Sequence, residues 1–203
     1  METEGRLRMK KVSILITVFL MFALCACAEQ KPEDIGTTTV YVRNDGSIIA
    51  TYVEDFSQSY YDMAELQSDT EANITSYNAS NGEGKVEMTF FAVEGNVAKM
   101  QMEFADAKTY TDYIGEDVFC GTVAEALEQG YELKFSLHNP ANADDVIGEH
   151  ELLAMQDSNI IIVENALRVR SESKILYMSS DAKYIDEYEV DGYDNPDATV
   201  IVY

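Results

Sequence analysis

Two runs of alternating apolar and polar residues, 85–93 and 98–104, flank the turn pair Gly95-Asn96. Val86, Met88, Phe90 and Ala92 share one side of the first run, and Ala98, Met100, Met102 and Phe104 one side of the second. A period of two suits a strand with one covered face, whereas a helix would scatter these residues around its axis. The spacing therefore predicts a β-hairpin that places Met88, Phe90, Met102 and Phe104 in a core.

The rest of the chain is built around that hairpin. Residues 37–52 alternate about Asp45-Gly46, the signal of a two-residue type I′ turn, and predict an earlier hairpin. Ser59 and Asp62 offer N-caps, and Glu65 stands three residues after Asp62 as in a capping box. The helix so begun should run until Asn81-Gly82 stops it. Asp106 predicts a short helix ending at Gly115, and Thr122 with Glu125 predicts another ending at Gly130. Tyr131, Leu133, Phe135 and Leu137 then alternate with polar residues, which reads as a strand and adds Leu133 and Phe135 to the expected core. Further strands are expected at 159–164, 166–170, 174–179, 184–190 and 198–203. This order is not βαβ alternation, so the expected class is α+β: one antiparallel-sheet domain with two or three helices, spanning residues 37–203.

Charge narrows the partners. With 14 Lys+Arg against 37 Asp+Glu, the chain carries a formal charge of −23. A phosphate backbone needs a basic footprint, so nucleic-acid binding is excluded as a function class. The same acidity argues against electrostatic docking on anionic lipid.

The N-terminus gives a different route to a membrane. Arg6, Arg8, Lys10 and Lys11 precede the apolar run 12–24, the charged region and apolar region of a secretory signal. Thirteen residues make roughly 20 Å of helix, short of the roughly 30 Å hydrocarbon core, so a permanent span is disfavoured. Met9 opens a more usual spacing and is an alternative start. Leu24-Cys25-Ala26-Cys27 follows and resembles the lipobox of bacterial prolipoproteins, with Cys25 the one departure from its small-residue pattern. The resemblance implies that residues 1–26 are a cleaved signal peptide and that Cys27 carries a diacylglycerol thioether. It implies an exported protein held on the outer face of the cell membrane by lipid. Residues 28–36, a polar stretch of nine residues containing Pro32 that reaches at most about 32 Å, would complete a tether over 27–36. Loss of the signal would leave a formal charge of −25, since it takes four cations and two acids with it. Two segments of the body, GTVAEALEQGYELKFS (121–136) and KILYMSS (174–180), resemble surface lipoproteins of Gram-positive anaerobes; that resemblance brings no activity with it.

With Cys27 lipidated, Cys120 would have no partner for a disulfide and is expected to pack as a small apolar residue. His150-Glu151 begins like HExxH but has Ala154 in place of the second ligand, and no nucleophile elbow or phosphate-binding loop occurs. Asp191, Asp194 and Asp197 gather oxygens without EF-hand spacing, which reads as a turn. No metal and no cofactor are expected. One local feature contradicts the global charge: Arg168, Arg170 and Lys174 lie within seven residues. On a strand the two arginines share a face and could grip an anionic ligand, provided that their guanidinium forks are free; pairing with the abundant acids is the competing account. The leading expectation is a non-catalytic, lipid-anchored surface domain that binds a small ligand or an envelope protein partner. The alternatives are a surface hydrolase working through dispersed carboxylates and an accessory subunit of an envelope complex.

Overall fold

In the computed structural model, which describes residues 30–165, 167–193 and 198–203, packing begins at a single 3-10 turn, Pro32–Asp34. Cys27 and the signal segment lie outside the described residues. The Glu33 carbonyl accepts from Lys99 Nζ, so the second half of the expected tether is docked on the domain.

Strands β1 (Thr39–Val42) and β2 (Ile48–Asp55) form the first hairpin. Its turn is not type I′, which needs positive φ at two adjacent central residues. Among the described residues positive φ occurs only at glycine; here Gly46, at +84°, donates to the Arg43 carbonyl at 3.0 Å. Asp45 instead accepts from the Ser47 backbone N and Oγ, which stabilises the turn locally. Helix α1 (Met63–Asn81) starts where Asp62 Oδ1 accepts from Ala64 N at 2.8 Å and Glu65 N at 3.0 Å, and stops at Gly82.

Strands β3 (Val86–Glu94) and β4 (Val97–Phe104) form the hairpin that the alternation demands. The register shifts between Met88 and Phe90, so Thr89 is the extra residue of a bulge. Phe91, not Phe90, then stands opposite Met100 and on its face of the sheet, while Phe90 turns to the other face with Ala92. Helix α2 (Ala107–Ile114) is capped by Asp106 and closed by Gly115, and β5 (Val118–Thr122) leads into α3 (Val123–Glu128) through the Thr122–Glu125 capping box.

Residues 131–136 belong to no strand or helix, and pairing starts only at β6 (Leu137–Asn139). Strand β7 (Asn142–Ile147) and helix α4 (Glu149–Leu153) follow. The remaining strands are β8 (Asn159–Val163), β9 (Arg168–Ser171), β10 (Tyr177–Ser179), β11 (Lys183–Asp186), β12 (Glu189–Asp191) and β13 (Thr199–Val202).

The class is α+β, as expected, and the described residues form four helices, where two or three were expected, and two sheets dominated by antiparallel pairing. The seven-stranded sheet runs β11-β12-β9-β1-β2-β4-β3 and the six-stranded sheet β5-β8-β13-β10-β6-β7. Among the described residues every pairing is antiparallel except β1 with β9. One core lies between the sheets, where Val40, Ile48, Met102, Phe104 and Val169 meet Val118, Ile161, Met178 and Ile201. A second core lies on the far face of the six-stranded sheet, where Ile160, Ile162, Val200 and Val202 meet Val123 and Ala126 of α3, Leu152 of α4, and Leu133. Strands β8 and β13 are covered on both faces, which is why their sequences are continuous apolar runs. Of the six expected core residues, Met102, Phe104 and Leu133 are buried, while Met88, Phe90 and Phe135 are half-buried.

Candidate functional site

The seven-stranded sheet loses its cover toward β3. Along β2, Ile48, Ile49, Ala50 and Thr51 are buried, Tyr52 and Val53 half-buried, and Glu54 and Asp55 exposed. Helix α1 contacts β3, where its Ile74 and Tyr77 pack against the core, but its first turns stand away from the sheet. Between them runs a groove of about 550 Å³.

Its floor is Tyr52, Phe91, Ala98 and Met100, which the ladder places on one face. One wall is helical: Asp62, Glu65, Leu66 and Asp69 follow the spacing of one helix face. The other wall is the segment joining β2 to α1. Phe56 extends the ladder by donating its backbone N to the Asn96 carbonyl at 2.7 Å, and its ring stacks on Tyr61 at 4.9 Å and 27°. Tyr60 meets Tyr61 edge-on at 4.9 Å and 69°. Tyr60, Tyr61, Met63 and Leu66 are all exposed large apolar residues within seven positions. Such a concentration of exposed apolar surface marks a contact site far more often than scattered single residues do.

The rim is acidic. Asp55 is occupied by Ser57, through its backbone N and its Oγ, and Asp62 by the helix cap. The side-chain carboxylates of Glu54, Glu65 and Asp69 make no hydrogen bond or ion pair among the described residues. No lysine or arginine lines the groove. The Tyr61 phenol is held above its ordinary pKa first by Tyr60 and further by Asp55 and Glu54, the direction expected of a negative neighbourhood. At the inner end of the groove, burial pushes the Tyr52 phenol well up, with the neighbouring Tyr110 hydroxyl acting in the opposite direction.

The basic island sits elsewhere, on the outward face of the seven-stranded sheet. The register sets Arg168 opposite Asp191 and Arg170 opposite Glu189. Arg168 Nη2 lies 2.9 Å from Asp191 and its Nε 3.5 Å from Glu189; Arg170 Nη1 lies 3.1 Å from Glu189 and 3.7 Å from Asp186. Lys174 pairs with Glu187. Each guanidinium is thus ion-paired, because the antiparallel β9–β12 ladder places an acid directly across from each arginine, while Arg168 Nε makes no hydrogen bond.

Other candidates resolve as structure. Cys120 is half-buried with Sγ 3.7 Å from the Gly46 carbonyl, and burial pushes its thiol up, away from reactivity. A wider polar cleft of about 740 Å³ includes Asp117, Tyr131, Glu132 and Lys134, but Tyr131 already donates to Asp117 and Lys134 to Glu132. Asp194 and Asp197 lie outside the described residues. Among the described residues no group of His, Cys, Asp and Glu could hold a metal ion, and no helix is long and apolar enough to cross a membrane.

Reading the sequence alone missed the groove. Phe56, Tyr60 and Tyr61 fall between regular elements and carry no period; the available signal was three aromatic residues beside a helix cap, where turn residues are the norm. No protein-family model, curated protein or solved structure matches the chain.

Proposed function

We propose that this chain is an exported lipoprotein, anchored through Cys27, whose folded domain is a non-catalytic binding module with the aromatic groove as its site. The observation that carries the binding role is the open groove itself, with the Phe56, Tyr61 and Tyr60 cluster against an uncovered sheet face. Its volume lies within the range of small-molecule pockets, roughly 300–1,000 Å³. Rigid aromatic rings give contact area at small entropic cost. The anchoring part rests on the lipobox resemblance and the short apolar run before it.

Two measurements test the two parts separately. Mass spectrometry of the membrane-extracted protein should find an N-terminal Cys27 carrying diacylglycerol, and Cys27→Ser should abolish retention while Cys25→Ser changes little. An unmodified start at any other residue overturns the anchoring. For the groove, methyl-labelled methionine resonances are the probe: hexylammonium or 1-hexanol should move the Met100 signal and leave the core residue Met102 in place. If neither probe moves Met100, the groove is not a binding site.

A further inference from the structure

The groove's chemistry narrows its occupant. We infer that the groove selects a small organic cation, an ammonium head on an apolar body, an assignment that rests on the groove being the binding site. Three of its exposed carboxylates, Glu54, Glu65 and Asp69, are unpartnered among the described residues, and no cation lines it to neutralise them. Aromatic faces attract cations through their quadrupole, and the stacked Phe56 and Tyr61 rings present such faces beside that rim. An anion would meet both the local carboxylates and a chain of formal charge −23, whereas a cation is drawn in by the same field.

A bare metal ion does not fit, because rings and methylenes dominate the interior and no described cluster could ligate one. A peptide strand adding to the free edge of β3 is opposed at its start. Asn78 of α1 already donates Nδ2 to the Val86 carbonyl at 2.8 Å and accepts from Val86 N at 3.0 Å, filling the edge groups with a side-chain amide. What remains is a molecule small enough for about 550 Å³, with an apolar part to lie on Phe91 and Met100 and a positive head for the rim.

The test holds the apolar body fixed and changes only the head: hexylammonium, 1-hexanol and hexanoate, each titrated against the Met100 methyl signal of the full domain at neutral pH. Hexylammonium should bind about tenfold or more tighter than hexanol, hexanoate should not bind, and raising the salt should weaken only hexylammonium. The variant Glu54→Gln with Glu65→Gln and Asp69→Asn alters exposed groups that hold nothing, so it should fold with an unchanged thermal midpoint. In it the hexylammonium affinity should fall to that of hexanol. Hexanol binding as tightly as hexylammonium, or a triple variant that keeps the preference, overturns cation selection and leaves the groove as a site for neutral ligands. Failure of every probe to move Met100 removes the groove reading and this inference together.

Discussion

Strands β13 and β3 are both rich in apolar residues, yet their surroundings differ completely. All four residues of β13 are buried, whereas of the nine in β3 only Val86 is. The central strand is covered on one face by the other sheet and on the other by α3 and α4. Among the described residues the edge strand is flanked by β4 and α1, and α1 itself has no buried side chain. The same type of sequence thus stabilises the fold in one place and forms a contact surface in the other, and the covering elements decide which.

Paired truncations give the sharpest break of that comparison. Ile161→Ala removes a fully buried side chain from the middle of β8 and should cost about 2–5 kcal/mol. Phe91→Ala, in the half-buried floor of the groove, should cost less than about 1 kcal/mol despite deleting a larger group. Urea midpoints measure both. Equal losses would mean that β3 is as much core as β8, and that the groove is a packing defect.

The period-2 residues at 86–104 and the caps at Asp62, Asp106 and Thr122 were legible because each is a local rule whose outcome lies within a few residues. The bulge at Thr89 was not. Phe90 and Phe91 are equally apolar, so an added residue leaves the pattern readable in either register. Residues 131–136 teach the converse: alternation reports that one side is covered, here Leu133 against the second core, and says nothing about a hydrogen-bonded neighbour. The parallel pairing of β1 with β9 joins residues more than a hundred positions apart, and no local signal encodes it. The shared face of Arg168 and Arg170 was legible, but their partners on β12 were hidden by a turn at Glu187-Tyr188 that splits an apparently continuous strand into β11 and β12.

That island extends the comparison to charge. Glu189 is 4% exposed and serves both arginines, so it belongs with the covered half of the molecule, unlike the unpartnered Glu54 at the groove. Glu189→Ala takes one carboxylate from each of two guanidinium groups, leaving Arg168 with Asp191 and Arg170 with Asp186, and should cost about 1–2 kcal/mol. Arg168→Ala with Arg170→Ala should likewise lower the thermal midpoint. Asp191 carries the pH signature. Burial alone would raise its carboxyl, but the hydrogen bonds from Arg168 and the Tyr193 backbone N, together with the charges of Arg168 and Lys183, outweigh it and hold it below its ordinary 3.8. Its contribution is therefore complete above that value and is lost as the pH falls through the lower, folded-state pKa. A midpoint that ignores Glu189→Ala would move the island to the decorative side of the comparison.

The smallest expected effect concerns α1, the element whose lack of cover opens the groove. Its nineteen residues are secured mainly at points: the Asp62 cap at one end, the Asn78 bridge to β3 near the other, and the Tyr77 ring edge-on to Tyr113 at 5.3 Å. Between them, Thr70 and Thr75 spend their hydroxyls on the carbonyls four residues back, a habit that favours helix bending over rigidity. An element with few buried contacts opens locally at lower free energy than the global transition. Amides of α1 should therefore exchange with solvent well before those of β8 and β13. Asp62→Ala should speed α1 exchange by about 1 kcal/mol of opening free energy while the global urea midpoint moves by less. Occupancy of the groove by hexylammonium should slow the same amides, because a ligand that bridges the sheet floor and the Glu65-Leu66-Asp69 face binds only the docked helix. Peptide-level hydrogen exchange across 63–81 and 159–163 reads all three. If α1 proves as protected as β8 without ligand, the helix is as firmly held as the central strands, and the contrast between a covered and an open half of this domain collapses.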